Sequence, residues 1–310
     1  MNYLTQLVKV IPILLLCLTD ALFAQQDPQY TNYMYNTMNV NPAYAGTKEV
    51  MSILGMYRAQ WVGLDGAPVT STFSLHSPIG GSNMGLGLSF VNDQIGPSDE
   101  NTISIDFSYR LNFDNLSTLA LGIKTTANLL NVDYTKLSIY DPTDPQFQSN
   151  IDNRFSPNFG AGAYWYSDHH YVGLSVPNFL ETKHYDDNDM ASLAREKMHY
   201  YLMAGYVFDL TSNIKMKPAF LSKVVAGAPF QLDMTANFLF HEKLTVGAAY
   251  RLNASVSGLV GFQLSDKLFV GYSYDAETSK LANYNSGSHE IFLRFEIFKA
   301  EEKIYSPRFF

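Results

Sequence analysis

Between residues 50 and 298 apolar and polar side chains alternate with a period of two, in segment after segment. The clearest run sets Ile103, Ile105, Phe107, Tyr109, Leu111 and Phe113 against Thr102, Ser104, Asp106, Ser108, Arg110 and Asn112. Successive side chains of a strand point to opposite faces, so one face here is wholly apolar while the other carries a carboxylate and a guanidinium. A second run sets Leu232, Met234, Ala236, Phe238 and Phe240 against Gln231, Asp233, Thr235 and Asn237. Two architectures use such strands. A soluble sandwich hides the apolar faces in a shared core; a membrane barrel turns them to lipid and encloses the polar faces in its lumen.

Strand and connector lengths separate the two. The pattern predicts strands over 50–58, 69–76, 84–92, 101–113, 117–128, 158–167, 169–177, 198–209, 213–224, 230–240, 243–251, 255–264, 267–275 and 288–298. Most are longer than the ~5–6 residues of soluble strands and suit a tilted membrane crossing of ~9–11. Connectors after even-numbered strands are short: Asp114-Asn115, Asp168, Asp209 to Asn213, His241-Glu242 and Ser265-Asp266, with Ser77 to Asn83 somewhat longer. Those after odd-numbered strands are usually longer, notably 129–157 and 178–197. Outer-membrane barrels sort their connectors in this way, and closure leaves no sheet edge unpaired in hydrocarbon. The expected fold is an all-β transmembrane antiparallel barrel of about 14 strands.

Composition agrees. Charged residues make up 16% of the chain against the ~25% of a soluble domain. Aromatics reach 14% while mean hydropathy is only -0.08, as expected if every second residue is apolar and no helix spans lipid. The net charge of -8 argues against a nucleic-acid partner. Lys9, the apolar run Val10 to Leu18 and Ala24 before Gln25 read as a signal peptide over 1–24, exported through the Sec pathway and then removed. Its loss takes away Cys17, the sole cysteine, so the mature chain has no disulfide or thiolate site; Leu16 before that cysteine argues against lipidation. The remaining parts are an N-terminal segment 25–49, the barrel 50–298 and a periplasmic tail 299–310.

The N-terminal segment lacks alternation and is rich in Asn, Tyr and Met. It is expected either to enter the barrel or to pack under its periplasmic mouth, burying Tyr30, Tyr33, Tyr35 and Tyr44. Gly85, Gly87, Gly160 and Gly162 lie inside strands, where relief of bending and close packing is favoured over ligand contact. Asp106, Arg110, Lys124 and Asp233 are expected on the lumen face, pairing to avoid isolation or lining a passage. Phe292 and Tyr201 on that face argue against an open pore. Partner contacts are expected at Arg58, Gln60, Trp61 and Asp65, where large aromatics beside Arg make interface anchors, and at Asn92 and Asp93 in a turn-forming stretch up to Pro97. A loop folded back with Trp61 on the rim is the structural alternative. No enzyme is expected: Ser288, His289 and Glu290 are adjacent on a strand and point alternately to opposite faces. His169 and His170 likewise point apart, so no metal or cofactor is predicted.

Several stretches resemble one family. They are Gln26-Asp27-Pro28-Gln29-Tyr30, Asn41-Pro42-Ala43-Tyr44-Ala45-Gly46 and Tyr57-Arg58-Ala59-Gln60-Trp61-Val62-Gly63-Leu64-Asp65-Gly66-Ala67-Pro68. Asn92-Asp93-Gln94-Ile95-Gly96-Pro97, Val172-Gly173-Leu174-Ser175-Val176-Pro177-Asn178, Tyr284-Asn285-Ser286-Gly287-Ser288-His289-Glu290-Ile291 and Ser306-Pro307-Arg308-Phe309-Phe310 follow in order. Together these resemble the PorP/SprF membrane proteins of the type IX secretion system of the Bacteroidetes. The resemblance implies a barrel similar to the fatty-acid-channel barrels that receives, anchors or helps secrete a specific surface protein, such as an adhesin or its C-terminal sorting domain. It further implies contact with other secretion components and a part in gliding motility. From the residues alone, a passive or hydrophobic-solute channel remains the alternative.

Overall fold

The computed structural model describes residues 28–113, 116–137, 149–180 and 197–297. The signal-like stretch 1–24, the turn Asp114-Asn115 and the tail 299–310 lie outside these residues.

The strands are β1 (Met51–Ala59), β2 (Val69–Pro78), β3 (Met84–Ile95), β4 (Ser98–Asn112), β5 (Thr118–Val132), β6 (Ile151–Tyr166), β7 (His170–Val176), β8 (His199–Tyr206), β9 (Phe208–Thr211), β10 (Ile214–Val225), β11 (Gln231–Phe240), β12 (Leu244–Arg251), β13 (Ser255–Gln263), β14 (Leu268–Glu277) and β15 (Ser288–Ile297). All pair antiparallel. Sequence neighbours lie side by side, and β1 pairs with β15 from Met51↔Ile297 to Ala59↔His289, closing the cylinder. β9 continues β8 beyond Val207, whose N–H bonds the His169 carbonyl across the β7 hairpin. Counted as one crossing, the two give a closed barrel of 14 strands.

Period two sets the faces. On β4, Ser104, Asp106 and Ser108 are buried while Ile105 is 56% exposed on the outer wall. Exposed Leu86, Leu88, Phe90, Ile123, Val260, Ile291 and Leu293 continue this apolar exterior, which lipid covers in a barrel of this kind.

Two expectations are corrected. Asn92 to Pro97 is not a turn: β3 runs on to Ile95, β4 begins at Ser98, and only Gly96 and Pro97 form the tip. Strands β4 to β6 are also longer, at 15, 15 and 16 residues, and stand above their neighbours at the long-loop end. Their added residues mix polar ones on both faces (Ser98, Asp99 and Glu100; Asn131; Asp152 and Asn153) with Leu129, Leu130, Val132, Ile151 and Phe155, because beyond the hydrocarbon no face must be apolar.

Candidate functional site

Residues 28–48 fill the lumen. They start at the long-loop end, cross the barrel and leave at the short-turn end to join β1. Tight turns, a one-turn helix α1 (Thr37–Val40) and a 3-10 turn (Pro42–Tyr44) give the segment a compact path. Tyr33, Met34, Asn41 and Ala43 are each at most 1% exposed.

The wall is shaped to receive it. A methyl group built on Gly122 would overlap the backbone of Ala43; on Gly85 it would overlap the Ala45 carbonyl, on Gly87 the Met38 sulfur and on Gly162 the Asn41 side chain. Glycine on the inner face thus lets a second backbone approach closely. Gly160 instead admits the backbone of Pro177. Around this seat, Ser108 Oγ donates to the Ala45 carbonyl at 2.6 Å and Ser175 Oγ to the Val40 carbonyl at 2.8 Å. Asn41 Nδ2 donates to the Ala163 carbonyl at 3.0 Å, while its Oδ1 caps the 3-10 turn through Ala43 N–H. Aromatic rings lock the middle: Tyr35 lies 4.4 Å from Phe292 and 5.3 Å from Phe269, and Tyr44 meets His76 and Tyr164 edge-on.

Charge concentrates at both ends of the plug. At the turn end Lys48 pairs with Glu296, which also bonds Arg294 at 3.1 Å. At the loop end Arg58 Nη2 bonds Asp275 at 2.7 Å and Nη1 bonds Glu290 at 3.0 Å. These three come from the adjacent strands β1, β14 and β15 and reach the plug residues Thr31 and Asn32. Nearby, Arg251 Nε bonds Asp233 at 2.6 Å and its Nη2 donates to the Tyr30 carbonyl. Asp106 and Lys124 face each other in register on β4 and β5 at 3.2 Å, and Arg110 donates to the Ser82 carbonyl. All four polar residues assigned to the lumen face are thus bonded to the wall itself.

The six residues assigned to partner contact divide. Arg58 is 1% exposed and Asp93, bonded by Thr70 Oγ1 at 2.6 Å, is 8% exposed; both point inward. Arg58 shares its parity with the buried Leu54 and Met56, a signal that its position next to the Trp61 loop obscured. Gln60, Trp61, Asp65 and Asn92 stay at the rim. Trp61 adopts a φ of 46°, its indole N–H donates to Glu277 and its backbone N–H to Ser288 Oγ. Val62 N–H donates to the Gly287 carbonyl, and Ser286 N–H of the last loop donates to the Val62 carbonyl. The Trp61 loop is therefore pinned to the rim between β1 and β15. Asn92 bonds Asp99 and Asn101 on the outer face of the raised hairpin.

The sequence missed Asp275, Glu290 and the plug residues that meet them. Parity alone marks the two acids as inward-facing; their partners in the plug leave no periodic trace. Ser288 and Glu290 turn inward and His289 outward to Tyr272 Oη at 2.7 Å. Among the described residues no three His, Cys, Asp or Glu gather to hold a metal.

The CymD monoaromatic hydrocarbon channel matches the chain with a TM-score of 0.51 at 12% identity, over 85% of this chain and 93% of that one. The Ralstonia pickettii toluene transporter TbuX matches with 0.50 at 9% identity, over 84% and 92%. At such identities the likeness is one of outer-membrane barrel fold. No curated protein matches. The sequence itself matches the type IX secretion system membrane protein PorP/SprF over residues 22–295, which covers most of the chain, and the protein belongs to that family.

Proposed function

We propose that this barrel receives and anchors a secreted partner protein at its long-loop face, taken here as the cell surface, after export guided by residues 1–24. The observation that carries the reading is the plug. A lumen filled by Tyr33, Met38, Tyr44 and the backbone of Ala43 leaves the work to surfaces rather than to a passage. The rim offers one: Trp61, Gln60 and Asp65 on a loop held in place, and Asn92 on the raised hairpin. An aromatic fixed before binding loses little entropy on docking, which suits an anchor. The partner is a surface adhesin or its C-terminal sorting domain, with the rest of the secretion and gliding apparatus as neighbours.

Crosslinking in intact cells followed by purification tests this. A large secreted protein recovered in stoichiometric amount, and lost with Trp61→Ala, is the expected result. Loss of small-solute uptake on deleting the gene, with no such partner captured, would favour instead a channel for apolar solutes. The names of CymD and TbuX lend that second reading its only support, and it needs a route past the plug.

A further inference from the structure

The plug is held to the wall by two different means. From Val40 to Gly46 the contact is close packing against glycine: the Ala45 and Ala43 backbones on Gly85 and Gly122 and the Asn41 side chain on Gly162, with Ser108, Ser175 and Ala163 completing the hydrogen bonds. That anchor cannot lift without uncovering a groove matched to it. Residues 29–32 are held otherwise. Glu290 accepts the consecutive backbone N–H groups of Thr31 at 3.1 Å and Asn32 at 2.8 Å, and Asn32 Nδ2 at 2.7 Å. Asp275 accepts the Thr31 hydroxyl at 2.7 and 2.8 Å, and Asn32 Nδ2 also reaches Ser273 Oγ at 2.9 Å.

Each ion in this arrangement has a counter-ion in the wall. Arg58 bonds both Asp275 and Glu290, and all three lie on neighbouring strands. Thr31 Oγ1 accepts from Arg58 Nη1 at 3.1 Å and the Tyr30 carbonyl from Arg251 Nη2 at 3.3 Å; otherwise the plug supplies neutral donors to the two carboxylates. Its withdrawal would leave no ion without a counter-ion, the outcome that makes breaking buried pairs costly. At the joint between the two stretches sits Asn36, 1% exposed, whose amide nitrogen and oxygen both lack a hydrogen-bond partner among the described residues. A buried amide in that condition is a destabilised point in the fold. On the loop side, residues 28–30 border a small cavity shared with Tyr201, Lys223, Gln231 and Asp233, which gives the stretch room to move.

We propose that Arg58, Asp275, Glu290 and Ser273 form a binding site for a short peptide that enters from the loop-side mouth and turns there, and that residues 29–32 occupy it in cis. Recognition runs mainly through the main chain. Two consecutive non-proline residues at the start of a turn, where successive N–H groups converge, present the pair to Glu290, and a hydroxyl followed by an amide side chain adds the bonds made to Asp275 and Ser273. The proposal deepens the receiver reading by naming a grip for a partner segment, yet its test needs no partner, so either fails alone.

The full-length protein in detergent is used throughout. Hydrogen exchange of the wild type should show the amides of 29–33 exchanging at least about tenfold faster than those of 40–47. Asn32→Ala, which removes the amide hydrogen bonds to Ser273 and Glu290, should speed the first group at least about tenfold and leave the second unchanged. A labelled synthetic peptide of residues 26–34 should then bind Asn32→Ala saturably, and the same peptide with Thr31→Pro and Asn32→Pro should not. Equal exchange of the two stretches in the wild type would overturn the proposal. So would rapid exchange of 29–33 in Asn32→Ala without saturable peptide binding.

Discussion

Arg58 is the residue on which the loop end of the barrel turns. Its guanidinium is the shared counter-ion of two buried carboxylates, so replacing it with Met leaves Asp275 and Glu290 buried without the cation that bonds them both. Breaking a buried pair from one side costs about 3–5 kcal/mol, and a lowered temperature of barrel unfolding measures it. Arg58→Lys keeps the charge but not the two-pronged geometry, so its effect should be smaller. The glycines give a sharper contrast. Gly122→Val drives a side chain into the backbone of Ala43, whereas Gly258→Ala meets nothing within 4 Å. The first should destabilise by roughly 1–3 kcal/mol, as overpacking does, and the second by little, both read from the same unfolding curves.

At the scale of strands, lipid explains what could be read in advance. Where a strand faces hydrocarbon, an apolar side chain must recur at every second position, and β4 from Ile103 to Leu111 shows it without exception. Beyond the bilayer the constraint lapses. Asp99, Glu100 and Asn131 therefore carried no strand signal, although they pair in full register. The plug was equally opaque, since Asn41 to Gly46 follows the shape of its seat and not a period; only the in-strand glycines hinted that something approached the wall. The raised end has a small core of its own, with Leu130, Val132 and Tyr134 buried and Ile151 packed against them. Asp133 accepts bonds from the Thr135 hydroxyl and backbone N–H, and the hydroxyl above all holds its carboxyl below the ordinary carboxylate range. A depressed carboxylate stabilises above its unfolded pKa, and that contribution is lost as pH falls through the folded one. Limited proteolysis of the long loop after β5 should therefore accelerate in acid below pH ~4, and Asp133→Asn should abolish that pH dependence while leaving the barrel resistant.

For the whole molecule the question is whether the plug alone shuts the pore. These ions of the wall keep wall counter-ions without it: Arg58 with Asp275 and Glu290, Arg251 with Asp233, Lys124 with Asp106, Arg294 with Glu296. Every backbone pairing of the cylinder likewise runs from strand to strand and none through residues 28–48. Deleting that segment therefore leaves a polar lumen that water can hydrate rather than a collapsed core, and a closed cylinder in lipid has no edge along which to open. In a planar bilayer the full-length protein should show almost no steady conductance, while the deletion variant gives discrete, long-lived steps. Gly122→Val, which unseats Ala43 without shortening the chain, should fall between them with flickering openings. If the full-length protein conducted as well as the deletion variant, the lumen would be open around the plug, and a passage for solutes would replace anchoring as the barrel's first task.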